Sequence, residues 1–273
     1  ANWVSLVTII PIEAVSAVQY MSSWPWEWAK PMGALMKDGS ISTIGLFAVY
    51  VIIAIFSLLN YWSVKLLTSF TSLISVFKLG VPLLTIIMLM ISGFDTNNYG
   101  HSASAFSPYG SAPIFAATTT SGIIFSFNAF QTIINMGSEI KNPEKNIARG
   151  IAISLTLSAI LYIVLQSTFI TSMPSSMIHE HGWNGINFNS PFADMAILLG
   201  INWLAILLYV EAVVSPFGTG VSFVAVTGRV LRAMEKNGHI PKFLGKMNEQ
   251  YNFPRVAFVC RAINSMSMVT LFS

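Results

Sequence analysis

Ser126, Asn128, Gln131 and Asn135 stand inside an otherwise apolar stretch, residues 118–150 (TTTSGIIFSFNAFQTIINMGSEIKNPEKNIARG), which closes on a charged segment at 139–149. Glu13, Lys78 and Glu211 each interrupt another apolar run. Hydroxyls and amides spaced this way, with no base beside them, hold a small solute by hydrogen bonds rather than attack it. Polar groups at membrane depth are expensive and mark functional sites. A helix that breaks within such a run frees backbone N–H and C=O groups. These must then face protein or a polar cavity. The N-terminus of a half-helix attracts a carboxylate and freed carbonyls attract an ammonium, a pairing that suits a zwitterion. The competing reading is an unbroken helix whose Asn and Gln side chains bond across to neighbouring helices.

Composition sets the class. The chain is 54% hydrophobic and 9% charged, against about 25% charged residues in soluble domains, and long apolar runs make it a polytopic membrane protein. The single cysteine, Cys260, precludes an internal disulfide. A net charge of +3 is no nucleic-acid signal, because the basic residues fall between apolar runs. Ala1-Asn2-Trp3 leads straight into an apolar span, so the chain is read as a fragment or a processed chain without a signal peptide. His179-Glu180-His181 has too few neighbouring ligands for a metal site, and no hydrolase motif or phosphate-binding loop is present. The reading therefore has no cofactor, no metal and no catalytic residues.

A membrane crossing needs about 20 mostly apolar residues. On that rule residues 1–273 form one transmembrane domain with spans at 3–23, 41–61, 66–93, 113–138, 146–171, 192–227 and 254–273. The sixth is too long for a perpendicular crossing, so it tilts or begins as a surface helix. Residues 228–237 read as a short basic amphipathic helix lying on the membrane. Residues 24–40, with Trp24, Trp26 and Trp28, read as an interfacial loop, and 95–112 and 172–191 as loops. Lys65, Lys141, Lys145, Arg149, Arg229, Arg232, Lys236, Lys242, Lys246, Arg255 and Arg261 fall on one side, while Lys30 and Lys37 fall on the other. The positive-inside rule places the segments 62–65, 139–149 and 228–253 in the cytoplasm of a cell-membrane protein.

Phe125-Ser126-Phe127-Asn128-Ala129-Phe130-Gln131, then Gly137-Ser138-Glu139-Ile140-Lys141-Asn142-Pro143 and Asn146-Ile147, resembles the sixth transmembrane helix and following loop of amino-acid permeases of the amino acid–polyamine–organocation superfamily. The family form is close to F-x-F-x-G-F-E, then K-N-P-x-R-N-I-P. Ala129 replaces the usual Gly, Gln131 the Glu and Ala148 the Pro. Phe-Asn in the break resembles the aspartate–proton symporter-like subgroup. Asn60 to Lys65 resembles the family's N-x-x-G-V-K junction, and RVLRAMEKNGHIP from Arg229 its R-x-x-x-x-M-A-x-D-G-x-x-P loop. The resemblance covers nearly the whole chain, as helices three to eight and part of nine.

The resemblance implies an all-α integral membrane protein of the LeuT-like inverted-repeat transporter fold, present in part. It implies amino-acid transport by alternating access with proton-coupled symport. The rivals are exchange without protons and a scaffold or sensor that moves nothing. The partners implied are an amino acid, protons or sodium, and the bilayer. Phe125 (as an aromatic lid), Ser126, Phe127, Asn128, Ala129 and Gln131 would line the substrate site, with Glu13 and Phe223 at further pocket positions. Lys78 falls where some members carry a lysine whose ammonium replaces a coupling sodium, and Ser215 and Thr219 would lie nearby. On residue chemistry alone, Lys78 exchanges a proton or makes a structural ion pair. Glu13 holds a proton, meets a cationic group or pairs with Lys78. Glu211 reads as buried hydrogen bonding, and Phe223 can equally be packing.

Overall fold

A chain this apolar satisfies its backbone in lipid only by closing hydrogen bonds within each segment, and helices accordingly dominate. The computed structural model describes residues 2–62, 64–100, 109–120, 122–135, 137 and 140–241. Its helices are α1 (Asn2–Ser22), α2 (Thr43–Trp62), α3 (Val64–Ser92), α4 (Ala112–Thr120), α5 (Phe130–Asn135), α6 (Pro143–Ser172), α7 (Ser175–Gly185), α8 (Pro191–Leu198) and α9 (Asn202–Lys236), with short 3₁₀ turns at Glu27–Leu35, Thr96–Tyr99 and Phe125–Phe127. Five of the described helices carry stretches long and apolar enough to cross a membrane: Asn2–Ser22, Thr43–Asn60, Ser72–Ser92, Pro143–Ser172 and Asn202–Lys236. The fold is all-α and of membrane type, with one span interrupted. The expected span at 254–273 lies outside the described residues. The chain divides into two units, one from 1–79 and 207–273 and one from 80–206.

In the first unit, Leu6, Val7, Ile10, Ala14, Ala17 and Val18 of α1 are buried with Val49, Ile53 and Phe56 of α2 and Val221 and Val224 of α9. Asn60 binds α2 to α9: its side-chain amide donates to the Phe56 and Val221 carbonyls, both at 2.9 Å. Residues 24–40 are more ordered than a loop. Trp26 and Trp28 stack at 5.6 Å with Trp24 edge-on to both. A two-stranded ribbon pairs Met36 with Ile41 and Lys37 with Ser40. Asp38 (φ 51°) and Gly39 (φ 79°) turn it, since a two-residue hairpin turn needs positive φ at both positions and Asp-Gly supplies it.

In the second unit, the end of α6 is tied down by side chains. The Asn98 amide donates to the Ile170 and Met173 carbonyls at 2.9 and 2.8 Å, and Ser172 Oγ donates to the Leu89 carbonyl at 3.2 Å. The bond to Met173 gives a partner to a carbonyl just past the helix end, while the Leu89 and Ile170 carbonyls also accept the Gly93 and Met173 N–H groups. Residues 172–191, expected as loop, contain α7 and the start of α8.

Two expectations about the long apolar run at 192–227 change. The run is not one helix: α8 stops at Leu198, Gly200 adopts φ 75°, and the Ile201 and Gly200 N–H groups bond to the Ala196 and Ile197 carbonyls at 2.8 and 2.9 Å. That is a Schellman C-cap, which a left-handed glycine completes. Nor do residues 228–237 form a separate surface helix, because α9 continues through Gly228 to Lys236. An interior glycine costs only about 1 kcal/mol relative to Ala and does not end a helix that packing supports. Termination comes at Gly238 (φ 74°), where His239 N–H reaches the Met234 carbonyl at 2.9 Å. The 35 residues of α9 span about 52 Å at 1.5 Å each, longer than a hydrocarbon core of about 30 Å, so its basic end lies beyond the apolar layer.

Candidate functional site

The interrupted span belongs to the second unit. Thr118 and Thr119, near the end of α4, bond their hydroxyls back to the Phe115 and Ala116 carbonyls at 2.6 and 3.0 Å, a pattern that competes with the helix ladder. Gly122 then takes φ 74°, and the Ile124 N–H bonds to the Thr118 carbonyl at 3.1 Å. From there the chain winds tightly. Phe127 N–H bonds to Ile124 and Asn128 N–H to Phe125, at 3.1 and 3.0 Å, and Thr132 N–H bonds to Ala129 at 3.0 Å.

The break therefore differs in place from the one expected. It sits at Gly122, six residues before Asn128, while Asn128 itself keeps right-handed dihedrals of φ −73° and ψ −15°. The Ala129 substitution is harmless to such a break, because no residue from Ile123 to Asn135 needs positive φ.

Around this segment Phe127 meets Tyr162 of α6 edge-to-face at 5.4 Å, and the Tyr162 hydroxyl donates to the Ser126 carbonyl at 3.5 Å. Ser126 Oγ donates to the Gly122 carbonyl at 3.1 Å, and Gln131 Nε2 donates to Asn128 Oδ1 at 2.9 Å. Gln131 thus orients Asn128 one turn away. Phe125 and Ala129 are exposed within their unit, and Ser126, Phe127, Asn128 and Gln131 lie on the same short stretch.

Lys78, Glu13, Ser215, Thr219 and Phe223 belong to the first unit. On α9, Glu211, Ser215, Thr219 and Phe223 recur every four residues and so share one face. Lys78 Nζ donates to Thr219 Oγ1 at 2.5 Å, and Thr219 Oγ1 donates in turn to the Ser215 carbonyl at 3.3 Å. The Ser215 side chain hydrogen-bonds Glu211. The Lys78 charge acts on both Glu13 and Glu211, and those two carboxyls both act on Tyr20, two turns on from Glu13 along the same face of α1. No ion pair within 4.0 Å joins Lys78 to either acid among the described residues. Lys78 therefore does not make the close structural ion pair that was one reading of it. Pro82 lacks an N–H, so the Lys78 carbonyl also loses its helical donor. Phe223 is 5% exposed, in the packed interior of this unit.

Close helix approach positions the lysine. A Cβ on Gly218 would lie 2.5 Å from Ile74 Cγ2, one turn before Lys78 on α3. Gly218→Val is expected to destabilise the purified protein by about 1–3 kcal/mol, the range for overpacking, seen as a lower Tm. An unchanged Tm would mean the two helices have room to spare.

Sequence reasoning weighed Glu211 only as structural. Its four-residue spacing from Ser215 and Thr219 was the available signal; its nearness to Lys78 was not readable from sequence. Among the described residues no three His, Cys, Asp or Glu side chains gather as a metal site, and His181 lies 3.9 Å from Glu180 in the open.

Comparison with known proteins agrees with this architecture. A profile described as amino acid permease matches residues 1–273. The chain is 47% identical over 272 residues to the glutamate/serine transporter AimA of Bacillus subtilis, covering 100% of this chain and 50% of that protein. It is 35% identical over 258 residues to the aspartate-proton symporter of Bacillus subtilis, covering 93% of this chain and 48% of that one. It is 23% identical over 262 residues to an L-asparagine permease of Salmonella typhimurium, covering 92% and 47%. The chain spans about half the length of these relatives. It belongs to the amino acid permease family.

Proposed function

We propose that residues 1–273 are one transmembrane domain of a longer permease that carries a small polar or acidic amino acid across the cytoplasmic membrane by alternating access, with a proton. The observation that carries this reading is the interruption of an apolar span at Gly122, just before Phe125 to Asn128. Ser126, Asn128 and Gln131, with the peptide groups beside them, would hold the ammonium and carboxylate, and Phe125 would cover them. The names of the similar proteins, glutamate/serine transporter and aspartate-proton symporter, support the substrate class. The segments 62–65, 139–149 and 228–253 face the cytoplasm, on the charge asymmetry of the sequence.

We infer that the proton is carried among Lys78, Glu13 and Glu211. Lys78, Glu13 and Glu211 belong to the same unit, and one ammonium can neutralise only one carboxylate. In the proposed cycle the second carboxyl is the one that takes up a proton, since an unpaired charge away from water is unfavourable. Loss and regain of that proton can then follow the transport cycle, with Ser215 and Thr219 as hydrogen-bonding steps between Glu211 and Lys78.

The test is uptake by the full-length protein in liposomes, with all twenty amino acids as competitors, with and without an inside-alkaline pH gradient. The expected result is that glutamate, aspartate or serine competes, and that accumulation above equilibrium requires the gradient. Gradient-independent counterflow would make the protein an exchanger. Binding without movement would make it a sensor or scaffold and overturn the transport reading.

A further inference from the structure

A cavity lies in the 80–206 unit, toward the C-terminal end of α6. Its volume is about 360 Å³, and Gln166, Phe169, Trp183, Asn187, Phe188 and Phe192 line it, with no charged side chain among its walls. The walls are built rather than incidental. Phe169 meets Phe188 and Phe192 edge-to-face at 6.3 and 5.3 Å. Gly182, at φ 63° and ψ 169°, kinks α7 immediately before Trp183, a conformation that glycine adopts freely. Pro191 opens α8, and Asp194 Oδ2 accepts from the Ser190 N–H at 3.0 Å, fixing the chain beside Phe188 and Phe192.

The lining selects a ligand chemistry. Aromatic faces attract an ammonium, most strongly tryptophan. The Gln166 and Asn187 amides have no hydrogen-bond partner among the described residues, so their N–H groups are available to a carboxylate. Aromatic faces for an ammonium and two exposed amides for a carboxylate, on one set of walls, favour a molecule carrying both groups. The volume falls in the range of small-molecule sites, about 300–1,000 Å³.

We propose that this cavity is a second solute site that takes a small zwitterion, its ammonium against Trp183 and the phenylalanines and its carboxylate on Gln166 and Asn187. It is distinct from the Phe125–Gln131 segment and does not depend on the transport reading. Gln166 and Phe169 nevertheless share a face of α6 with Tyr162, which holds Phe127 and the Ser126 carbonyl.

The experiment uses full-length protein labelled with 5-fluorotryptophan, with Trp183→Phe to assign the Trp183 signal by ¹⁹F NMR, and glycine betaine as the probe. The expected result is a saturable shift of the Trp183 signal alone. The double variant Gln166→Leu/Asn187→Leu should weaken it roughly tenfold, a factor within reach of lost charge-assisted hydrogen bonds. Asn128→Ala should leave it unchanged. The remaining tryptophan signals, unmoved, report that each variant is folded. A Trp183 signal that never saturates, that saturates equally well in the double variant, or that is lost in Asn128→Ala would overturn the proposal.

Discussion

Lys78→Ala is expected to abolish proton-driven accumulation, with initial uphill uptake falling by about 100-fold or more, while exchange down a concentration gradient falls far less. Removing the ammonium leaves Glu13 and Glu211, both partly buried, without their shared counter-charge. Both carboxyls then hold protons permanently, and none is left to cycle. Glu13→Gln and Glu211→Gln act from the other side. Each leaves one lysine against one carboxylate, a neutral pair with no spare proton, so each should convert symport to exchange. Lys78→Arg separates two versions of the mechanism. It keeps the charge but cannot release a proton. Retained coupling would place the moving proton on the carboxyls, and lost coupling would place it on the lysine. Full accumulation in Lys78→Ala would remove the coupling role altogether. The measurement is radiolabelled uptake at several imposed pH gradients.

The second large effect concerns Gly122. Its φ of 74° lies in the left-handed region, and a Cβ there would meet nothing within 4 Å. Strain, not crowding, is therefore what a substitution adds. Left-handed backbone costs an ordinary L-residue about 1–2 kcal/mol, and a β-branched residue adopts it rarely. Gly122→Val should therefore lower substrate affinity about tenfold or more, the equivalent of 1.4 kcal/mol or above. Gly122→Asn should bind nearly as well, because asparagine visits that region readily. Equal losses in both variants would show that bulk, not backbone conformation, is what the position forbids.

The sequence made some of this visible and hid the rest for physical reasons. Amides and a serine in an apolar run left a broken and an unbroken helix at 113–138 both open, the resemblance favoured the break, and the described residues show the run interrupted. They pointed to Asn128, however, whereas the positive φ is met upstream by Gly122, whose only sequence mark is a glycine after three threonines and a serine. Side chains that bind and residues that permit a turn obey different rules, and need not coincide.

Lys78 was legible because a lysine deep in an apolar run needs a reason. Its contact with Thr219 spans 141 positions, so only the resemblance could suggest it, and Glu211 escaped because its partner lies on another helix. The stop at Gly200 was legible in principle: Gly-Ile-Asn after a helical run is a C-cap followed by a new start. The apolar flanks on both sides masked it. At Gly228 the error ran the other way, since a glycine and a change of charge were read as a boundary that helix packing ignores.

The central claim is that a small amino acid is gripped at the segment that follows the Gly122 break. The most direct measurement is a substrate-bound structure of the full-length protein. The substrate's carboxylate or ammonium is expected within hydrogen-bonding distance, about 3 Å, of the peptide groups or side chains of Phe125 to Asn128. Substrate resolved elsewhere, with residues 112–135 closed into one continuous helix behind it, would contradict the account.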